Sequence, residues 1–156
     1  AQEAHFENRI EMSIDHGCVD GDQWTAEERL ALEERGQDPL VFNEIKPAVE
    51  WLTGTQRRLR TDWVILPREG GEQANLDAKL KTDIVKYIND VNLTAWEWSK
   101  AFKSAVSGGV DWIEIGLRSD PTDDPIFVRR ESWRNIWWDH RATQFGTLED
   151  ARYLFR

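Results

Sequence analysis

Residues 41–66 read VFNEIKPAVEWLTGTQRRLRTDWVIL, and a change of period inside this stretch sets the fold class. Ile45, Val49, Leu52 and Leu59 recur at helical spacing and make one apolar stripe. Pro47 falls in the first turn, where a missing N–H costs least. Arg57, Arg58 and Arg60 crowd the other end, where positive charge suits the helix dipole. After Thr61 the period becomes that of a strand, and Pro67 ends it. Residues 107–117, SGGVDWIEIGL, echo this helix-to-strand order. Gly108 and Gly109 supply a left-handed cap and a tight reversal. Ile113, Ile115 and Leu117 then alternate with Trp112 and Glu114.

Working outward, residues 2–16 predict a helix with Phe6, Ile10 and Ile14 on a narrow stripe that must pack on something else to be stable. Thr25 and Glu28 form a capping box for a second helix, which faces Leu30 inward and stops at Gly36. PREGG, residues 67–71, is a loop. A helix over 73–91 carries Leu80, Ile84, Ile88 and Val91 as its stripe, with an Asp77–Lys81 pair on the wet face. Thr94 and Glu97 read as a second capping box, opening a helix over 94–107 with Ala95, Trp98, Phe102 and Ala105 inward. SDPTDDP, residues 119–125, is a turn joining strands 110–118 and 126–131 in a β-hairpin. Residues 135–138 suggest a short strand, and Thr147 with Asp150 a one-turn cap before a strand at 152–155. The expected fold is α+β: amphipathic helices at about 43–60, 73–91 and 94–107 packed on a small antiparallel sheet of 62–66, 110–118, 126–131 and 152–155.

The 156 residues suit one domain, or one domain plus an arm. Of the net charge of −9, residues 1–38 hold −8: Arg9, Arg29 and Arg35 against eleven carboxylates. We read 1–38 as an acidic helical arm and 39–156 as the α+β domain. The acidic balance argues against a ligand gripped through phosphates, and suits either a solvated helix face or a surface that repels DNA. No stretch approaches a bilayer-spanning length, and the start lacks the pattern of a signal peptide. The single Cys18 leaves no internal disulfide framework and fits a reducing compartment. The first residue is not Met, so we read the chain as a piece of something longer. Nine Trp are more than a small core hides comfortably, so some are expected on a surface meant to be covered.

Reactive constellations are weak. Asp20/Asp22 and Asp123/Asp124 are sequence neighbours in loops, whereas glycosidase chemistry needs two carboxyls across a cleft. A calcium loop starting at Asp15 fails, because Gly17, Val19 and Asp20 stand where oxygen ligands and a Gly are needed. His16 and Cys18 offer two metal ligands without a second pair, and His5 and His140 stand alone. GGEQAN, residues 70–75, lacks the Walker spacing, and Ser104 and Ser107 have no nucleophile-elbow context. The Arg57/Arg58/Arg60 cluster could grip phosphate, but reads better as a helix-end and interface cluster. We therefore expect no catalytic centre, cofactor or metal.

The order of short motifs says more. It runs DGDQW; DPLVFNEIKPAVEWLTGTQRRLR; PREGG; INDVNLTAWEWSKAFKSAVSGGVDWIEIGL; IFVRRES; WWD; LEDARYLFR. In this order the chain resembles, over residues 20–156, the N-terminal part of portal proteins of short-tailed double-stranded DNA bacteriophages of the Salmonella-phage type. The matched positions are Asp22, Gln23 and Trp24; Asn43, Pro47 and Gly54; Arg57 and Arg58; Gly108, Gly109 and Trp112; Trp138 and Asp139; and Asp150, Ala151 and Arg152.

The resemblance implies a structural protein of the virion, assembled in the host cytoplasm. It implies a ring, usually of twelve subunits, at one capsid vertex, joining head to tail. Double-stranded DNA is packaged and ejected through such a ring without sequence-specific binding. Residues 39–156 would belong to the outer wing, facing neighbouring subunits, capsid and scaffold. Terminase and tail adaptors would meet regions outside this stretch. Two other classes compete: a Trp-rich module stacking on carbohydrate, and a hydrolase using a carboxylate pair.

Overall fold

A computed structural model describes residues 2–59, 61–120, 122–139, 142 and 148–156. Arg60, His140 and Thr147 lie outside the described residues, as does the His5 side chain. Five helices come first: α1 Gln2–Asp20, α2 Ala26–Glu34, α3 Ile45–Arg58, α4 Glu72–Val91 and α5 Thr94–Gly108. Strands β1 Trp112–Leu117 and β2 Ile126–Glu131 then form the expected hairpin, with Trp112 opposite Glu131 and Leu117 opposite Ile126. Two short strands follow, β3 Trp137–Trp138 and β4 Leu154–Phe155. The fold is α+β, and no described helix is long and apolar enough to cross a membrane.

The sheet differs from expectation. Residues 62–66 join no strand among the described residues; the Ile65 amide donates instead to the Thr82 hydroxyl of α4, at 3.0 Å. A β-branched run becomes a strand only where another backbone edge lies alongside it, and here a helix does. Residues 152–155 also leave the hairpin: Leu154–Phe155 pair antiparallel with Trp137–Trp138. Among the described residues there are thus two separate two-stranded sheets in place of one sheet of four.

α5 is the hub, lying against α1, α3, α4, β1 and β2. The face it turns inward is Ser99, Ala101, Ser104 and Gly108, all buried. The expected inward residues point the other way: Trp98 is 49% and Phe102 37% exposed, with Ala95 exposed and Ala105 half-buried. Small side chains let several elements approach one helix closely, which large ones would prevent. The same inversion recurs elsewhere. α4 buries Ala78 and Thr82 while Leu80, Ile84 and Val91 are exposed. α3 buries Val49 and Thr53 while Ile45, Leu52 and Leu59 are exposed. Leu30 of α2 is exposed, and α1 exposes Phe6, Ile10 and Ile14 but buries Met12 and Val19.

The caps divide similarly. Thr25 and Glu28 make the expected reciprocal box: the Thr25 amide donates to Glu28 Oε2 at 2.8 Å, and the Glu28 amide to Thr25 Oγ1 at 3.2 Å. At α5 the cap is Leu93, in a left-handed conformation with φ 49°. Thr94 lies inside the helix, and Glu97 accepts instead from the Arg130 amide at 2.7 Å and from Lys100. A carboxylate that meets a strand amide and a lysine has stronger partners than a neighbouring cap. Asp77 likewise accepts from Gln73 at 3.0 Å.

Gly109 has the positive φ expected of the reversal, 91°, and its amide donates to Ala105 O at 2.8 Å. No atom would lie within 4 Å of an added Cβ, so the cost of substitution is conformational. Gly109→Val should lower stability by about 1–3 kcal/mol, because a β-branched residue is poorly suited to positive φ. Thermal unfolding indistinguishable from the parent would contradict the reversal.

Candidate functional site

Two features stand out. One is a junction of buried polar groups where α1 meets α5 and the chain after β2; the other is a broad exposed apolar surface.

At the junction Asp111 has a fully buried side chain (0% exposed). It pairs with Arg130 and accepts from the Trp133 amide at 3.0 Å. Arg130 also donates to the Ser104 hydroxyl at 3.1 Å. Trp133 packs with Met12, Ile136 and Trp138 in the main buried cluster, and its indole N–H donates to His16 Nε2 at 3.1 Å. Arg9, one turn below Met12, donates to the carbonyls of Trp133 and Ile136 at 3.3 Å each and to that of Arg134. Its guanidinium lies 4.5 Å from the Trp137 ring centroid, a cation–π distance. Burial, with the nearby Arg134 charge, holds the His16 pKa below its ordinary value.

Beside this junction is a cleft of about 260 Å³ lined by His16, Val19, Asp20, Lys100, Lys103, Ser104, Ser107 and Arg130. Its cations are already engaged. Lys100 pairs with Glu97, whose pKa the Lys100 hydrogen bond and the Arg130 amide lower. Lys103 pairs with Glu50, whose pKa that hydrogen bond lowers too. No group of three or more His, Cys, Asp or Glu able to hold a metal occurs among the described residues. Chemically, the cleft joins elements.

Most of the motif residues fall into two fastening groups. Asp22 pairs with Arg29, Gln23 donates to Cys18 O at 3.2 Å, and Trp24 donates through its indole to Leu40 O at 3.1 Å. Asn43 donates to Val19 O at 2.8 Å and accepts from the Lys46 amide at 3.1 Å. These contacts tie the end of α1 to the start of α3, where Pro47 is exposed. In the second group, Trp138 packs on Trp112, with centroids 5.7 Å apart. Buried Asp139 accepts from the Arg152 amide at 3.2 Å, and Asp150 lies in the turn before it. Arg57 stacks over Trp96 at 4.6 Å, and Arg58 reaches the Thr55 hydroxyl at 3.5 Å. Gly108 lies against the His16 ring, which an added Cβ would approach to 2.7 Å.

Sequence reasoning missed Arg9, Asp111, Arg130 and Trp133, and weighed His16 only as a metal ligand. One signal was available. Arg9, Met12, His16 and Val19 recur at spacings of three and four, a second stripe on α1 beside the apolar one.

The exposed surface is large and includes many large hydrophobic side chains. The chain exposes 12014 Å², whereas a compact monomer of its 18.2 kDa mass would expose roughly 8,000 Å². Trp51 and Trp63 are 64% and 65% exposed, and Trp96 52%. The α4 stripe, together with Val64 and Leu66 between α3 and α4, adds aliphatic area. An excess of this size exceeds a standard protein interface, about 1,600 Å² in total.

Comparison with curated proteins finds no match to the chain. The family model for the phage P22-like portal protein matches residues 1–156, further than the 20–156 of the motif series. The chain therefore belongs to the phage P22-like portal protein family, structural head-to-tail connectors of bacteriophages.

Proposed function

We propose that this chain is the wing-region part of a portal subunit, which acts through shape and contact and carries out no catalysis. In the assembled protein it helps build a ring, usually of twelve copies, at one capsid vertex, through which DNA is packaged and ejected. The observation that carries this reading is the exposed Trp-bearing surface in a chain that matches the portal family throughout. Residues 39–156 would face neighbouring subunits, shell and scaffold through Trp51, Trp63, Trp96 and the α4 stripe. Residues 1–38, with their −8 charge, form the acidic arm. Terminase and tail adaptors would meet other parts of the subunit. DNA would pass without being gripped, since the net charge of −9 disfavours phosphate contacts.

Sedimentation of the 156-residue chain tests this. At low salt and micromolar concentration it should be monomeric or weakly associating, because the acidic arms repel. Raising the salt should promote association through the apolar surface. Trp51→Glu and Ile84→Glu should each lower that association with little change in unfolding midpoint, because both side chains are already exposed. A stable dodecamer at low salt would place the ring interface within this stretch and overturn the salt dependence. A saturable Trp fluorescence shift with glycans would favour a carbohydrate module instead.

A further inference from the structure

We propose that His16 is an acid-sensitive latch: a proton taken from solvent by its Nε2 breaks the bond to Trp133 and releases α1 from α5 and the 132–136 turn. An indole N–H can only donate, so the 3.1 Å bond from Trp133 Nε1 requires an unprotonated Nε2 on His16. The two rings lie 12° from parallel with centroids 5.8 Å apart, an arrangement compatible with an N–H···N bond between ring edges. When Nε2 carries hydrogen, two donors face each other in a partly buried place, and the bond becomes a repulsion.

Towards α5 and Trp133 the ring has little room to turn away. An atom at the Cβ position of Gly108 would be 2.7 Å from Nε2 and 2.9 Å from Cδ2. Trp133, on the other side, is 4% exposed.

Around the ring, burial and the cations Arg134 and Arg130 oppose an imidazolium, whereas the carboxylates Asp111 and Asp20 favour it. The stretch before β1 offers Asp111, but both its oxygens are taken, by Arg130 and by the Trp133 amide. β2 brings Arg130 and the following turn Arg134, both cations that act against a charged ring. α5 brings Lys100 and Lys103 to the same cleft; Lys103 is already paired with Glu50 of α3 and Lys100 with Glu97. On α1 itself, exposed Asp20 favours the charged ring, but is the last-ranking influence on it.

What the latch holds is the base of the buried cluster, since Met12 of α1 covers Trp133, Ile136 and Trp138. Its release would uncover an aromatic surface at the edge of the domain. The sign is fixed by linkage: the pKa of His16 is lowered in the folded chain, so its contribution is complete above the ordinary value of about 6.5 and is lost as pH falls through the folded value.

Amide hydrogen exchange of the whole 156-residue chain, corrected for intrinsic rates, reads the release between about pH 7.5 and 5. Protection of residues 6–20 should fall relative to α3, by up to about tenfold per pH unit once His16 titrates, as linkage to one proton requires. His16→Gln, whose amide oxygen can still accept from Trp133, should remove that dependence. Carbon-13 and nitrogen-15 NMR of the wild-type imidazole gives a reading independent of any variant. The ring should titrate below the value of free histidine, in step with loss of α1 protection. A ring that titrates at or above that value overturns the latch. So does α1 protection that is unchanged through the titration, or a pH dependence that survives in a folded His16→Gln.

Discussion

Trp133→Ala should cost about 3–5 kcal/mol, the range for emptying a buried aromatic site and a large share of a domain's roughly 5–15 kcal/mol. The side chain is 4% exposed and sits among Met12, Ile136 and Trp138. Its removal leaves a cavity against α1, strips His16 of its donor and takes one ring from beneath Arg9. Trp133→Phe keeps most of the volume and loses the N–H, so it should cost about 1–3 kcal/mol, the order of one unsatisfied buried group plus lost packing. Urea denaturation followed by circular dichroism orders the three proteins. If the alanine variant unfolds at the parent's midpoint, α1 does not rest on the 132–136 turn.

Arg130→Met should be equally severe, for an electrostatic reason. The Asp111 side chain is fully buried, and Arg130 is its counter-charge. Removing one partner of such a pair leaves an uncompensated buried charge and costs about 3–5 kcal/mol. The reverse change, Asp111→Asn, should be milder, because the Arg130 side chain is 32% exposed and water can take over part of its solvation. Combining the two should recover stability relative to Arg130→Met alone, since the isolated carboxylate is then gone. Denaturation of both single variants and the double variant gives the coupling. Strict additivity would mean that the pair contributes nothing as a pair.

Both effects arise at a junction that local sequence signals show only through the second stripe on α1. Trp133 and His16 are 117 positions apart, and neither lies in a recognisable motif. Arg9 and His16 share a face of α1 with Met12, but charged and polar residues on a helix usually face water, so the apolar Phe6, Ile10 and Ile14 stripe drew the reading. That stripe is exposed. The motif residues were easier to read, because Asp22, Gln23, Trp24 and Asn43 make contacts within a short stretch of chain around the end of α1.

The sequence by itself determined what depends on nearby residues. Helix positions, the Thr25–Glu28 box, the hairpin between β1 and β2 and the positive φ of Gly109 follow from spacing, capping and backbone sterics. The order of motifs likewise carried the family. Tertiary structure alone decided which helix face is covered, because burial belongs to the neighbours and not to the stripe. α5 turns Ala101, Ser104 and Gly108 inward because only small side chains admit α1, α3 and the hairpin together. It also decided that residues 62–66 pair with no strand among the described residues and that 154–155 join 137–138, since a strand needs another backbone edge and propensity cannot say where that edge lies.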